Sequence, residues 1–188
     1  MRPEAQGGHA TIDDLYREPG KAELVNGRIV RMPAASGLHG YAAAQILVSL
    51  TAHARRTGVG HAIPDNVGFV VNLTHRKSFC PDVAYHVGPL TMEFVSGAPV
   101  FAVEVRSPGD YGPAAERAMA AKRADYFASG TLVVWDVDLL GEDVVRVYRA
   151  SDPERPQVYR REEHAEAEPA VPGWSMLVRE LLLSQSIV

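Results

Sequence analysis

Residues 99–137 constrain the fold more than any other stretch. Residues 99–105 form a short apolar run that closes at Ser107-Pro108-Gly109-Asp110. Residues 113–129 then read as a helix, with Pro113 in the first turn, Ala, Glu, Met, Lys and Arg along its length, and Gly130 just past its end. Residues 132–137 are again apolar and rich in β-formers. This strand, helix and strand predict a right-handed crossover joining two parallel strands of one sheet.

The flanking chain supplies the rest of that sheet. Thr11 is a good helix cap with Asp13 and Asp14 behind it, so a short helix starts there and ends before Pro19-Gly20. Ala22-Glu23-Leu24-Val25 and Arg28-Ile29-Val30-Arg31-Met32 flank Asn26-Gly27, the strongest short-range hairpin pattern, and Glu23 lies on the first strand. Residues 39–56 carry apolar side chains at Ala43, Ile46, Leu47, Leu50 and Ala54, a helical period that stops at Gly58. Residues 59–73 are extended, with Pro64-Asp65-Asn66 as a bend, and residues 74–78 turn into a strand around Pro81-Asp82. Residues 88–97 read as loop, 144–148 as a strand, and 157–160 as an extension of the sheet. Residues 176–183 fit either a terminal strand or a short helix, and the acidic run 162–168 is expected to be solvated. The predicted class is α/β (α+β), a mixed β-sheet flanked by two substantial helices.

A chain of 188 residues with 46% apolar content is expected to be one domain, with residues 1–10 a loose lead-in. Its apolar runs fall well short of the roughly 18–20 residues that span a bilayer, and the first residues lack a signal-peptide core, so a cytoplasmic location is expected. Cys80, the single cysteine, excludes an intramolecular disulfide and a cysteine-rich zinc site, and is expected to be a buried packing residue. A net charge of −4 argues against a broad basic coat for nucleic acid, but not against a local cationic site.

Asp82 and Glu104 each interrupt an apolar strand, where an unpaired carboxylate is costly. If their strands are neighbours, the two acids offer the hard oxygen ligands that Mg²⁺ or Mn²⁺ prefers. Lys122, on the helix after the second strand, is the best-placed lysine to orient water or stabilise a phosphorane-like charge, because Lys21 and Lys77 lie beside turn residues. These three residues predict a metal-dependent phosphodiesterase site. Tyr126, one turn after Lys122, is expected to pack in the core, as are Trp135 and Trp174. Asp136 and Asp138 are expected at a strand-end turn, and Ser107 has no histidine partner indicated.

Taken in order, Ala22-Glu23-Leu24-Val25-Asn26-Gly27-Arg28-Ile29-Val30, His39, Pro81-Asp82-Val83-Ala84, Val103-Glu104-Val105-Arg106-Ser107-Pro108, Lys122 with Tyr126 and Gly130, and Val133-Val134-Trp135-Asp136-Val137-Asp138 resemble the bacterial Uma-type family. That family is restriction-endonuclease-like and sits within the PD-(D/E)XK nuclease superfamily. The resemblance covers about residues 11–150 and implies a restriction-endonuclease-like sheet, with Asp82 and Glu104 as metal ligands and Lys122 in place of the lysine of the E-x-K strand. It implies Glu23 as a further carboxylate at the metal, and His39 at a phosphate or shaping the cleft. Arg106 departs from the older superfamily pattern; it is either a phosphate contact or a salt-bridged edge residue, and the second reading is favoured.

The expected activity is Mg²⁺- or Mn²⁺-dependent endonucleolytic hydrolysis of DNA by water, and a homodimer would suit a double-strand cutter. Two other readings stay open: a catalytically inactive nuclease-fold module for DNA binding or regulation, and a partner-binding scaffold whose carboxylates pair with Arg106 and Lys122.

Overall fold

The structure, a computed structural model, describes residues 9–182. Helix α1 (Ile12–Tyr16) is closed by a capping box between Thr11 and Asp14. Strands β1 (Ala22–Val25) and β2 (Arg28–Arg31) form the expected hairpin. Asn26 (φ 51°) and Gly27 (φ 69°) both take the left-handed conformation that a type I′ turn demands. Helix α2 (Gly37–Thr57) begins slightly before its apolar periodicity does, because Ser36 caps it, and Gly58 (φ 70°) ends it.

Beyond α2 come β3 (His61–Ile63), β4 (Phe69–Val70), β5 (Ser78–Phe79), β6 (Val83–His86), β7 (Val95–Ser96) and β8 (Phe101–Val105). Helix α3 (Pro113–Ala128) precedes β9 (Val133–Asp138), β10 (Val144–Arg149), β11 (Asp152–Arg160), β12 (His164–Glu166) and β13 (Ser175–Leu177). A 3-10 turn, Val178–Leu181, follows.

Six strands form the central sheet in the order β11-β10-β9-β8-β6-β3. The crossover is as expected: β8 and β9 pair in parallel, from Phe101 opposite Val133 to Val105 opposite Val137, with α3 between them in sequence. The other neighbours in this sheet are antiparallel. A small second sheet, β5-β4-β7, lies beside the hairpin; the Lys77 amide donates to the Leu24 carbonyl across that junction.

Alternation along the central strands sorts side chains onto two faces. Val83, Tyr85, Phe101, Val103, Trp135 and Val137 face α2 and the C-terminal segment, packing with Ile46, Leu50, Trp174 and Met176. Ala84, Ala102 and Val134 pack on the opposite face with Phe69, Phe79 and Tyr126 of α3. That second face carries the acids: Asp82 stands two residues before Ala84, Glu104 two after Ala102, and Asp136 two after Val134. The small alanines let α3 approach, while the period of two brings three strands' carboxylates out beyond the apolar patch on one side of the sheet.

Several peripheral expectations change. The acidic run 162–168 is not a solvated loop: it contains β12, paired with β13, and Ala165 and Ala167 are fully buried because every second position is a small apolar residue. The stretch 88–97 contains β7, which adds in parallel to β4. Strand and helix readings of 176–183 each hold in part, as β13 and the 3-10 turn; Leu183 lies outside the described residues. Residues 1–8 of the expected lead-in also lie outside them, while the Ala10 amide donates to the Gly27 carbonyl at 2.8 Å. Cys80 is buried, with its thiol pushed up to about 12 chiefly by that burial. Trp135 and Trp174 stack in the core at 4.9 Å. Among the described residues no helix is long and apolar enough to cross a membrane.

Candidate active site

Asp82 precedes β6, where its amide donates to the Val103 carbonyl at 3.1 Å and fixes it against β8. Its carboxylate Oδ2 accepts from the Val105 amide at 2.7 Å. Oδ1 receives two further groups, the Lys21 ammonium and, at 3.1 Å, His39 Nε2 from the first turn of α2. Burial by itself would raise the Asp82 pKa, but the His39 hydrogen bond and the Lys21 charge outweigh it and hold the group at about 2. In return, the hydrogen bond to Asp82 raises the pKa of His39.

Glu104 ends the same face of β8, and Lys122 reaches it from α3. The ammonium lies 2.8 Å from Glu104 Oε1 and 2.9 Å from Glu23 Oε1, so it links the hairpin to the central sheet. Lys122 stays firmly charged, its pKa raised because Glu104 and Glu23 overcome the effect of burial. The Tyr126 hydroxyl donates to the same Glu104 oxygen at 2.7 Å, while its ring stacks on Phe79 at 4.0 Å. Glu104 has its pKa raised, by burial first and then by the charges of Asp82 and Glu23, against the pull of Lys122. Its side chain is 28% exposed, against 5% for Asp82 and 6% for Glu23, so it is the most open of these three carboxylates.

The structure thus brings Asp82, Glu104 and Lys122 to one place, but it uses the other expected residues differently. Glu23 stands next to Glu104 across Lys122 but does not line the cavity, and among the described residues no three His, Cys, Asp or Glu side chains stand together at metal-ligand spacing. Its oxygens are taken by Lys122, by Arg76 Nη1 at 2.5 Å and by the Cys80 amide at 3.0 Å. Burial would raise the Glu23 pKa, yet Lys122 and Arg76 lower it. Arg106, expected at a phosphate or in a salt bridge, takes the second role. Its guanidinium grips Asp136 at 2.6 and 2.8 Å and Glu116 at 2.5 Å, with the residue buried. His39 lines the cavity, with its Nε2 turned onto Asp82. Ser107 gains the histidine neighbour its sequence did not indicate, with Oγ 3.3 Å from His39 Nδ1. A ring biased toward its protonated form by Asp82 is a poor base for that hydroxyl, so the contact orients the imidazole.

Sequence reasoning missed several contributors. Lys21, beside a turn in sequence, holds Asp82 and Asp65, the latter at 2.8 Å. Its spacing of two from Glu23 was the available signal, since both then project to one side of an extended chain. Asp65 belongs to the bend after β3. Arg76 links Glu23 to Asp125, the latter at 2.8 Å, and nothing local in the polar turn distinguishes it. Tyr126 was read as core, which its ring is, but its hydroxyl belongs to the site. Asp136 and Asp138 do more than end a strand: Asp136 binds Arg106, and Asp138 accepts from Tyr111 and from the Gly141 amide.

Lys21, His39, Asp82, Glu104, Lys122 and Tyr126 line a cavity of about 920 Å³, with Met32, Ala35 and Met119 on its walls. The donor set suits a hard divalent cation: Asp82 and Glu104 both line the cavity, and Glu104 is burdened by the negative charge of its neighbours, a burden a cation would relieve. Mg²⁺ commonly keeps several waters and needs only one or two protein carboxylates, so the absence of a third acid from this group is compatible with it.

The described chain has counterparts among known proteins. A crystal structure of a putative nuclease belonging to DUF820 from Anabaena variabilis ATCC 29413 superposes with a TM-score of 0.71 at 18% identity, covering 91% of this chain and 96% of that one. No curated protein matches. The restriction-endonuclease-like fold follows from that likeness and from the mixed sheet with its crossover. The profile of the Uma2 family, described as putative restriction endonuclease, matches residues 10–180, and the chain belongs to that family.

Proposed function

We propose that the chain is a metal-dependent endonuclease that hydrolyses DNA phosphodiester bonds with water as nucleophile. The observation that carries the reading is the convergence of Asp82, just before β6, Glu104 of β8 and Lys122 of α3 on one cavity, with the lysine 2.8 Å from Glu104. Asp82 and Glu104 would hold Mg²⁺ or Mn²⁺, which when bound polarises a phosphoryl oxygen and acidifies the attacking water. Lys122, charged and fixed between two carboxylates, stabilises the negative charge that grows on the phosphoryl group as the new P–O bond forms and the old one breaks. Glu23 and Tyr126 act through others: the first aims the Lys122 ammonium, the second orients Glu104 through its hydroxyl.

A specific observation favours a second reading, an inactive nuclease-fold module. Asp82 and Glu104 each already have a cationic partner within the chain, Lys21 for Asp82 and Lys122 for Glu104, so both are paired without a metal. The test is cleavage of plasmid DNA with Mg²⁺ or Mn²⁺. The wild-type protein nicks or cuts it, and Asp82→Asn, Glu104→Gln and Lys122→Ala each abolish cutting. Cleavage retained by all three variants rules out this site, and a wild-type protein that binds DNA but neither cuts it nor takes up Mn²⁺ is the inactive module.

A further inference from the structure

We infer that Lys21 is a second functional lysine of the site: it holds Asp82 while no metal is bound and moves, still tethered to Asp65, onto a DNA phosphate when a divalent cation takes Asp82. The inference rests on the nuclease reading above and adds a residue and an exchange that this reading does not contain.

Of the two Asp82 oxygens, Oδ1 has both acceptor sites engaged. Oδ2 is held by the Val105 amide, and Oδ1 accepts both Lys21 and His39. A cation binding at Oδ1 must therefore displace a donor. The amide is fixed within β8, and the imidazole is buried on α2 with its other nitrogen beside Ser107. Lys21 is the mobile one. It sits on four flexible methylenes just before β1, and its second partner, Asp65, lies on a bend and is 42% exposed.

The cavity also needs a cation for a phosphate backbone, and most of its basic groups are committed. Arg76 is fixed by Glu23 and Asp125, Arg106 by Asp136 and Glu116, and Lys122 by Glu23 and Glu104. Arg123 lies over the Tyr148 ring at 3.9 Å and faces Asp136. A Lys21 released from Asp82 keeps only Asp65 and carries a free pair of ammonium protons toward the opening. The charge that the metal brings to Asp82 is then matched by a charge delivered to the substrate.

The chain contains three lysines, Lys21, Lys77 and Lys122, so lysine ammonium signals from ¹⁵N-labelled protein can be assigned with single variants. Titration with Mg²⁺, without DNA, is expected to shift the Lys21 signal or return it to fast exchange with water, while the Lys122 signal shifts but stays protected by its second partner, Glu23. By calorimetry Lys21→Met is expected to bind Mn²⁺ about tenfold tighter than wild type, and to bind duplex DNA more weakly in Ca²⁺. A Lys21 signal unmoved at Mg²⁺ saturation, with Mn²⁺ affinity unchanged in Lys21→Met, overturns the inference and leaves the nuclease reading standing. No Mn²⁺ binding by the wild-type protein overturns both.

Discussion

Replacing Glu23 by glutamine separates an anchoring carboxylate from a metal-ligating one by the sign of its effect on the metal-free protein. The substitution keeps the side chain's shape and leaves an amide oxygen to accept from the Cys80 amide, now at 3.0 Å. What it removes is charge, from a residue only 5% exposed that faces both Arg76 and Lys122. Breaking a buried ion pair by deleting one partner costs about 3–5 kcal/mol. Here each cation keeps a second carboxylate, Asp125 for Arg76 and Glu104 for Lys122, which moderates the loss. The expected destabilisation is therefore about 2–4 kcal/mol, or roughly 4–16 °C in the thermal midpoint of a chain this size. Urea unfolding in EDTA measures the first and calorimetry the second. A carboxylate whose main task was to ligate metal would be repelled by Asp82 and Glu104 in the empty site, and its neutralisation would stabilise the protein. An unchanged or raised midpoint in Glu23→Gln would refute the anchoring argument and return Glu23 to the metal.

Arg106→Lys is expected to destabilise by about 3 kcal/mol, because an ammonium cannot reproduce the forked grip on buried Asp136; the slope of log DNA affinity against log salt should not change, and a slope shallower by about one would restore Arg106 as a phosphate contact. Acid unfolding should carry the mark of Asp82. Its pKa is depressed from 3.8 to about 2, so its contribution is full above 3.8 and is lost as pH falls through that window. The loss amounts to roughly 2 kcal/mol in urea-unfolding free energy, and Asp82→Asn should abolish that part of the pH dependence. His39 works in the opposite sense: its raised pKa stabilises below 6.5 and the benefit fades as pH climbs past the raised value.

The fold was largely legible because its strongest elements are local. A capped helix, an Asn-Gly turn and a proline-to-glycine helix between two apolar strands are each written in fewer than about twenty consecutive residues, and local chemistry decides them. The readings that changed were those in which pairing overrides composition. Glu162 to Glu168 looks solvated when its acids are counted, yet alternate alanines let it join β13 and bury one edge; Glu166 is turned to Arg149 and Tyr159. The two residues of β7 become a strand only because β4 lies alongside, which no window around Val95 contains.

The site divides along the same line. Asp82 and Glu104 were visible because a carboxylate inside an apolar strand is anomalous by itself, and Lys122 because it follows on the crossover helix. Lys21, Arg76 and Asp65 are ordinary in their own surroundings, a residue after a Pro-Gly turn, one in a polar loop and one in a bend; only the hairpin's docking against β5 makes them neighbours of the acids. Glu23 shows why the distinction matters chemically. The hairpin delivers it to the correct corner of the molecule, but Arg76 arrives from a loop more than fifty residues away and, with Lys122, occupies its oxygens. Sequence thus exposes the groups whose charge conflicts with their own strand, while the groups that resolve the conflict come from elsewhere in the fold. Their partners decide whether each acid remains free to hold a metal.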